Sequence, residues 1–128
     1  MTRILIVDDD PAIRGLLVEL LTDEGYQTLQ AADGLEAIER ARASSPSLVL
    51  MDLMLPVLDG AAATRTLKAE ASTARIPIIA MSAGANLRLQ ADTLPADGVL
   101  AKPFDLDELL AEVAIQLRRS SRAEPPAP

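Results

Sequence analysis

The feature that most constrains the fold is an alternation, repeated five times, of short apolar runs with longer amphipathic ones. Residues 4–7, 27–31, 48–51, 76–81 and 99–101 read as strands, the second being the weakest. Behind the first, Asp10-Pro11 is an N-cap followed by proline at the first helical position, and Ile13, Leu16, Leu17, Leu20 and Leu21 recur at helical spacing. Glu24-Gly25 stops that helix. Asp33-Gly34 opens a second helix to about residue 43, before a loop over residues 44–47. A third runs over about residues 60–70, with Asp59-Gly60 as the turn before it, and residues 85–94 read as a short, weak helix ended by Pro95. Asp105 caps the last helix, Glu108 completes a capping box, and Leu106, Leu109, Leu110, Val113 and Leu117 form its apolar stripe. Strands joined by helical crossovers imply a mostly parallel sheet covered on both faces, and right-handed crossovers leave few topologies. The fold class is therefore α/β, doubly wound. One domain is expected over residues 1–119, and the polar, proline-rich residues 120–128 read as a disordered tail.

The core of this sheet must come from aliphatic side chains, because Tyr26 and Phe104 are the only aromatic rings. The chain has no cysteine and no histidine, which removes disulfides, thiolate and imidazole metal sites, His general bases and a phosphohistidine carrier. A net charge of −7 argues against non-specific nucleic-acid binding, which needs a basic footprint. The longest apolar stretch, residues 48–58, is broken by Asp52, and nothing approaches the roughly 20 apolar residues that span a bilayer. The N-terminal apolar run is too short for a signal peptide and meets three aspartates. The chain reads as cytoplasmic, with no membrane partner.

In an open parallel sheet, ligands sit at the carboxyl ends of the strands. Asp8, Asp9 and Asp10 follow the first strand, Asp52 ends the third, Ser82 follows the fourth and Lys102 follows the fifth. All fall at one edge. Clustered carboxylates repel unless a cation lies between them, and with no soft ligand available that cation is a hard one, Mg²⁺ or Mn²⁺. A carboxylate can also be the nucleophile that forms an aspartyl-phosphate. Phosphoryl transfer then needs positive charge and hydrogen-bond donors at the equatorial oxygens, which a metal, Lys102 and Ser82 supply. Asp8-Asp9-Asp10 taken alone reads equally well as a helix-capping run. Asp52, inside Leu-Val-Leu-Met-Asp-Leu-Met-Leu, does not, because an ionised carboxylate there is costly without a partner. No group in the set suits a nucleotide, so the donor is small or a protein.

These residues resemble the receiver domain of two-component response regulators, of which the single-domain chemotaxis protein CheY is one. The motifs are Ile-Leu-Ile-Val-Asp8-Asp9-Asp10, Leu-Val-Leu-Met-Asp52-Leu-Met-Leu-Pro56-Val-Leu-Asp59-Gly60, Ile-Pro77-Ile-Ile-Ala-Met-Ser82-Ala83 and Gly98-Val-Leu-Ala-Lys102-Pro103-Phe104. The resemblance covers residues 3 to about 119. It implies a flavodoxin-like sheet of five parallel strands in the order 2-1-3-4-5. It implies that Asp52 is the phosphoacceptor, that Asp9 binds Mg²⁺ directly and Asp8 mostly through water, and that the Met54 carbonyl is a further ligand. Lys102 would pair with the phosphoryl oxygens, its peptide to Pro103 cis, and Ser82 would bond the phosphoryl group and move on activation. The implied donors are histidine kinases or histidine phosphotransfer proteins. The implied output is a conformational change read by a downstream protein at the face made by segment 85–94, the fifth strand and the last helix.

The chain also departs from the family pattern. Val99 stands where the family usually has Tyr or Phe. The interval from Ser82 to Lys102 is about two residues short, and Glu112 and Ala114 occupy positions that carry arginines in receivers fused to winged-helix domains. A degenerate receiver that only binds a partner is therefore one alternative. A haloacid-dehalogenase-like phosphatase is another. It would use Asp8 and Asp10 as its Asp-x-Asp pair, but it has Ala12 where such enzymes have Thr or Val, and it leaves Asp52 without a role.

Overall fold

The computed structural model describes residues 2–83 and 94–123, with side chains described through residue 120. In chain order the elements are β1 (Arg3–Val7), α1 (Pro11–Asp23), β2 (Gln27–Ala31), α2 (Gly34–Ser44), β3 (Leu48–Asp52), α3 (Gly60–Ala69), β4 (Ile78–Ala83), β5 (Gly98–Lys102) and α4 (Leu106–Ala123). The five strands form one parallel sheet in the order β2-β1-β3-β4-β5, as the resemblance implied.

Alternation along the strands builds the two halves of the core. Ile4, Ile6, Leu48, Leu50, Ile79, Met81 and Leu100 pack with Leu17 and Leu21 of α1 and Leu109 and Val113 of α4. Leu5, Val7, Val49, Met51 and Ile78 face the other way, onto Ala37, Ile38 and Ala41 of α2 and Ala63 and Leu67 of α3. The central strand β3 is buried along its whole length, as a parallel strand covered on both faces must be.

All four described helices start at an aspartate whose carboxylate accepts a backbone N–H. Asp10 takes the amide of Ala12 at 2.9 Å, Asp33 that of Glu36 at 2.8 Å, Asp59 that of Ala62 at 2.7 Å and Asp105 that of Glu108 at 2.8 Å. Each cap satisfies a donor that the first turn would otherwise leave unpaired, and places negative charge at the positive end of the helix.

Three boundaries differ from the sequence reading. β4 begins at Ile78 rather than residue 76, because Pro77 has no N–H for the ladder and the Ile76 amide is used in a turn to Thr73. β4 also runs on to Ala83, so Ser82 lies within the strand, in register with Ala101, instead of after it. α4 continues to Ala123, into the segment read as a tail, since no proline interrupts it before Pro125. The expected helix over 85–94 falls almost wholly on residues outside those described; Leu94 is buried against Leu53, Ala61 and Ala80 and is not helical.

Among the described residues no helix is long and apolar enough to cross a membrane.

Candidate functional site

The carboxyl ends of β1, β3 and β5 bring four charged side chains together. Asp8 directly follows β1. Its amide makes one more bond in the direction of the ladder, to the Ala31 carbonyl at 3.2 Å. Its side chain is almost fully buried, and Oδ1 accepts from the Asp10 amide at 2.9 Å. Asp52 is the last residue of β3, 4% exposed, and its Oδ1 accepts the Met54 amide at 3.0 Å. Lys102 ends β5 and reaches across the edge: Nζ lies 3.3 Å from Asp52 Oδ2 and 3.5 Å from Asp8 Oδ2. Its peptide to Pro103 is cis. Asp9 is exposed, and one carboxylate oxygen from each of Asp8, Asp9 and Asp52 lies within 4.8 Å of the others.

Asp52 is held in place from behind as well. The Gly60 amide donates to the Leu53 carbonyl at 3.2 Å. A Cβ on Gly60 would stand only 2.0 Å from the Asp52 carbonyl oxygen, so α3 can start here only on glycine.

Three carboxylates thus face one ammonium. Burial pushes the Asp52 carboxyl above its ordinary range, and the Asp8 charge pushes the same way; the Met54 N–H and Lys102 oppose them. A hard divalent cation is the group that would satisfy this donor set.

The cleft over these residues has a volume of about 720 Å³ and is rimmed by Ile13, Met54 and Pro56. A second cavity of about 430 Å³ lies among Lys68, Arg75, Asp97 and Arg119. Its ammonium is already committed, to the carbonyls of Ala74 and Ile76 at 3.1 and 2.7 Å and to Asp97 at 2.6 Å, so we place the chemistry in the first.

Of the residues singled out from sequence, the structure brings Asp8, Asp9, Asp52 and Lys102 to one point. Met54 is adjacent, giving its amide to Asp52 while its side chain is exposed. Ser82 stands one residue beyond Met81, the register partner of Asp52, but its hydroxyl is buried without a hydrogen-bond partner among the described residues, and Ala83 lines the cleft instead. Two features escaped the sequence reading. Arg14 donates to the Asp8 carbonyl at 2.7 Å, and its only signal was its place on the first turns of the helix behind the aspartates. Val57, 78% exposed beside the cleft, has φ +67°, a conformation that Pro56-Val57 does not announce.

A family model described as the response regulator receiver domain matches residues 4–114. The chain is 41% identical over 124 residues to the DNA-binding dual master transcriptional regulator RpaA of Synechocystis, covering 95% of this chain and 52% of that protein. It is 39% identical over 107 residues to sporulation initiation phosphotransferase F of Bacillus subtilis, covering 84% of this chain and 86% of that protein. Among solved structures, the receiver domain of sensor histidine kinase PA1611 from Pseudomonas aeruginosa, crystallised with a magnesium ion in its active-site cleft, superposes with a TM-score of 0.86 at 34% identity, over 91% of this chain and 98% of that one. The chain spans about half the length of most of the curated relatives it matches.

Proposed function

The chain belongs to the response regulator receiver domain family, and from that premise we propose that Asp52 takes a phosphoryl group from a histidine kinase or histidine phosphotransfer protein. The observation that carries this reading is the ammonium of Lys102 between Asp52 and Asp8, with Asp9 completing the acidic cluster. It is the arrangement that an in-line phosphoryl transfer to a carboxylate requires.

In the transfer, an Asp52 carboxylate oxygen forms the new O–P bond. The N–P bond of the phosphohistidine breaks, and its electron pair leaves on the imidazole nitrogen, which takes up a proton. Lys102 then has a phosphoryl oxygen to donate to in place of the bare carboxylate. Asp8, Asp9 and Asp52, with the Met54 carbonyl, would hold Mg²⁺; Mn²⁺ has the same preference for oxygen ligands. When bound, the metal supplies the positive charge that three phosphoryl oxygens need and one ammonium cannot provide. Ser82 contributes its hydroxyl to the phosphoryl group by moving toward the cleft from its buried position, and that movement is the switch. The chain acts as a signalling switch that accepts one group, with no substrate turnover beyond loss of its own phosphoryl group.

A downstream protein reads the change at the surface built on β5 and α4, where Val99, Leu106 and Ile115 are exposed apolar side chains. Direct nucleic-acid contact is no part of this reading, given the net charge of −7, and the cytoplasm is the setting that suits it.

The test is a titration with beryllofluoride, a stand-in for the phosphoryl group, in the presence of Mg²⁺. The amide resonances of Asp9, Asp52, Ser82 and Lys102 should shift in the wild type and stay fixed in Asp52→Asn. A wild type whose resonances do not respond would overturn the proposal.

A further inference from the structure

We propose that Arg14 is a positioning residue for the cation site, holding the Asp8–Asp9 peptide so that both carboxylates face Asp52. This rests on the reading that Asp8, Asp9 and Asp52 hold the metal.

Little else holds that peptide. β1 ends at Val7, and the Asp8 amide makes a last bond to Ala31 at 3.2 Å. Among the described residues no backbone amide donates to the Asp8 carbonyl. It still needs a donor, since an unpaired carbonyl beside a buried carboxylate is costly. Arg14 supplies it from Nη1 at 2.7 Å. A second N–H of the same planar group, Nε, donates to Gln30 Oε1 on β2 at 3.0 Å. The guanidinium is therefore fixed in two directions, between the start of α1, the end of β1 and the edge strand β2. A lysine in its place could donate to one acceptor or the other but would lack the rigid fork.

The two flanking carboxylates depend on this peptide unequally. Asp8 has independent support, because its Oδ1 accepts the Asp10 amide at 2.9 Å. Asp9 is exposed, and among the described residues its carboxylate has neither hydrogen bond nor ion pair. What places Asp9 is the backbone that precedes it, and Arg14 clamps that backbone. Groups that orient metal ligands without touching the metal commonly set affinity this way.

A second effect of Arg14 works in the opposite direction. Its charge lies beside an acidic cluster and competes with any divalent cation for it. If charge were the main effect, removing Arg14 would tighten Mg²⁺ binding. If positioning is, removing it weakens binding. The two accounts differ in sign.

The experiment is isothermal titration of Mg²⁺ into wild type, Arg14→Met, Arg14→Lys and Gln30→Ala, with amide spectra of the metal-free proteins. Arg14→Met should weaken Mg²⁺ about tenfold. Arg14→Lys, which keeps the charge, should also weaken it. Gln30→Ala alters one exposed side chain and no charge, and should weaken it by a smaller factor, so the test survives if Arg14→Met folds poorly. In the metal-free spectra the Asp9 and Asp10 amides should move while those of β3 stay in place. Arg14→Met or Gln30→Ala binding Mg²⁺ as tightly as wild type, or more tightly, overturns the proposal. A wild type without saturable binding, or binding that Asp9→Asn leaves unchanged, overturns the metal assignment itself and this inference with it.

Discussion

Replacing Lys102 by Met tests the electrostatics of the site apart from its chemistry. The ammonium lies 3.3 Å from Asp52 Oδ2 and 3.5 Å from Asp8 Oδ2. At an effective dielectric of about 20, each contact is a gross attraction of about 5 kcal/mol. The two aspartates are 4% and 1% exposed, so removing their partner leaves charges with little access to water. A fully buried pair broken in this way loses about 3–5 kcal/mol. The Lys102 side chain is 28% exposed, which screens the interaction, and Asp52 can relieve itself by taking up a proton. We expect a loss of about 2 kcal/mol in urea denaturation at neutral pH with EDTA present.

The sign of the pH dependence follows from Asp52. Its pKa is already above the ordinary carboxylate value because of burial, so its own contribution to stability falls as pH rises through that pKa. Without Lys102 the pKa rises further. The deficit of Lys102→Met should therefore be smaller at acidic than at neutral pH, because protonating Asp52 removes one of the two charges that Lys102 meets. Saturating Mg²⁺ should narrow it too, since binding at 100 times Kd is worth about 2.7 kcal/mol and the variant lacks the competing ammonium. Adding Asp52→Asn to Lys102→Met should recover much of the loss. A deficit of the same size at both pH values, with and without Mg²⁺, would mean that Lys102 acts through packing of its stem and not through its charge.

Asp52→Asn alone should raise the urea midpoint at neutral pH in EDTA, because it removes a charge that burial disfavours; the gain should fade as pH falls, and a loss of stability at neutral pH would contradict it. Val57→Gly should stabilise by about 0.5–1 kcal/mol, since a β-branched residue at φ +67° is strained and its side chain, 78% exposed, packs little; an unchanged or lower denaturation midpoint would refute this. Gly60→Ala should cost about 3 kcal/mol and impair phosphoryl uptake, because the new Cβ meets the Asp52 carbonyl oxygen at 2.0 Å; normal stability and normal uptake together would show that α3 can shift freely.

Much of the fold was legible because its signals are local. Five apolar runs and capping aspartates at 10, 33 and 105 are visible in any short window, and Asp59, read as a turn residue, turned out to cap as well. The site was legible for a topological reason. Once the strands are parallel, their carboxyl ends share an edge, so Asp8, Asp52 and Lys102 must meet wherever they lie in the chain. What could not be read depended on contacts between elements or on backbone geometry. No local signal carries β4 on through Ser82; the ladder with β5 draws it into the strand, where its hydroxyl is buried. Arg14 lies six residues beyond Asp8, and its hydrogen bond to that carbonyl exists only once α1 has folded back over the end of β1. The left-handed Val57 has no residue signature, because glycine or asparagine would be expected there.

Phosphoryl uptake by Asp52 can be read from the intact mass of the protein after incubation with acetyl phosphate and Mg²⁺, beside Asp52→Asn and a sample with EDTA. One added phosphoryl group is expected in the wild type and none in either control. A group added to Asp52→Asn as readily as to wild type, or in EDTA as readily as in Mg²⁺, would contradict the assignment of Asp52 and its cation site.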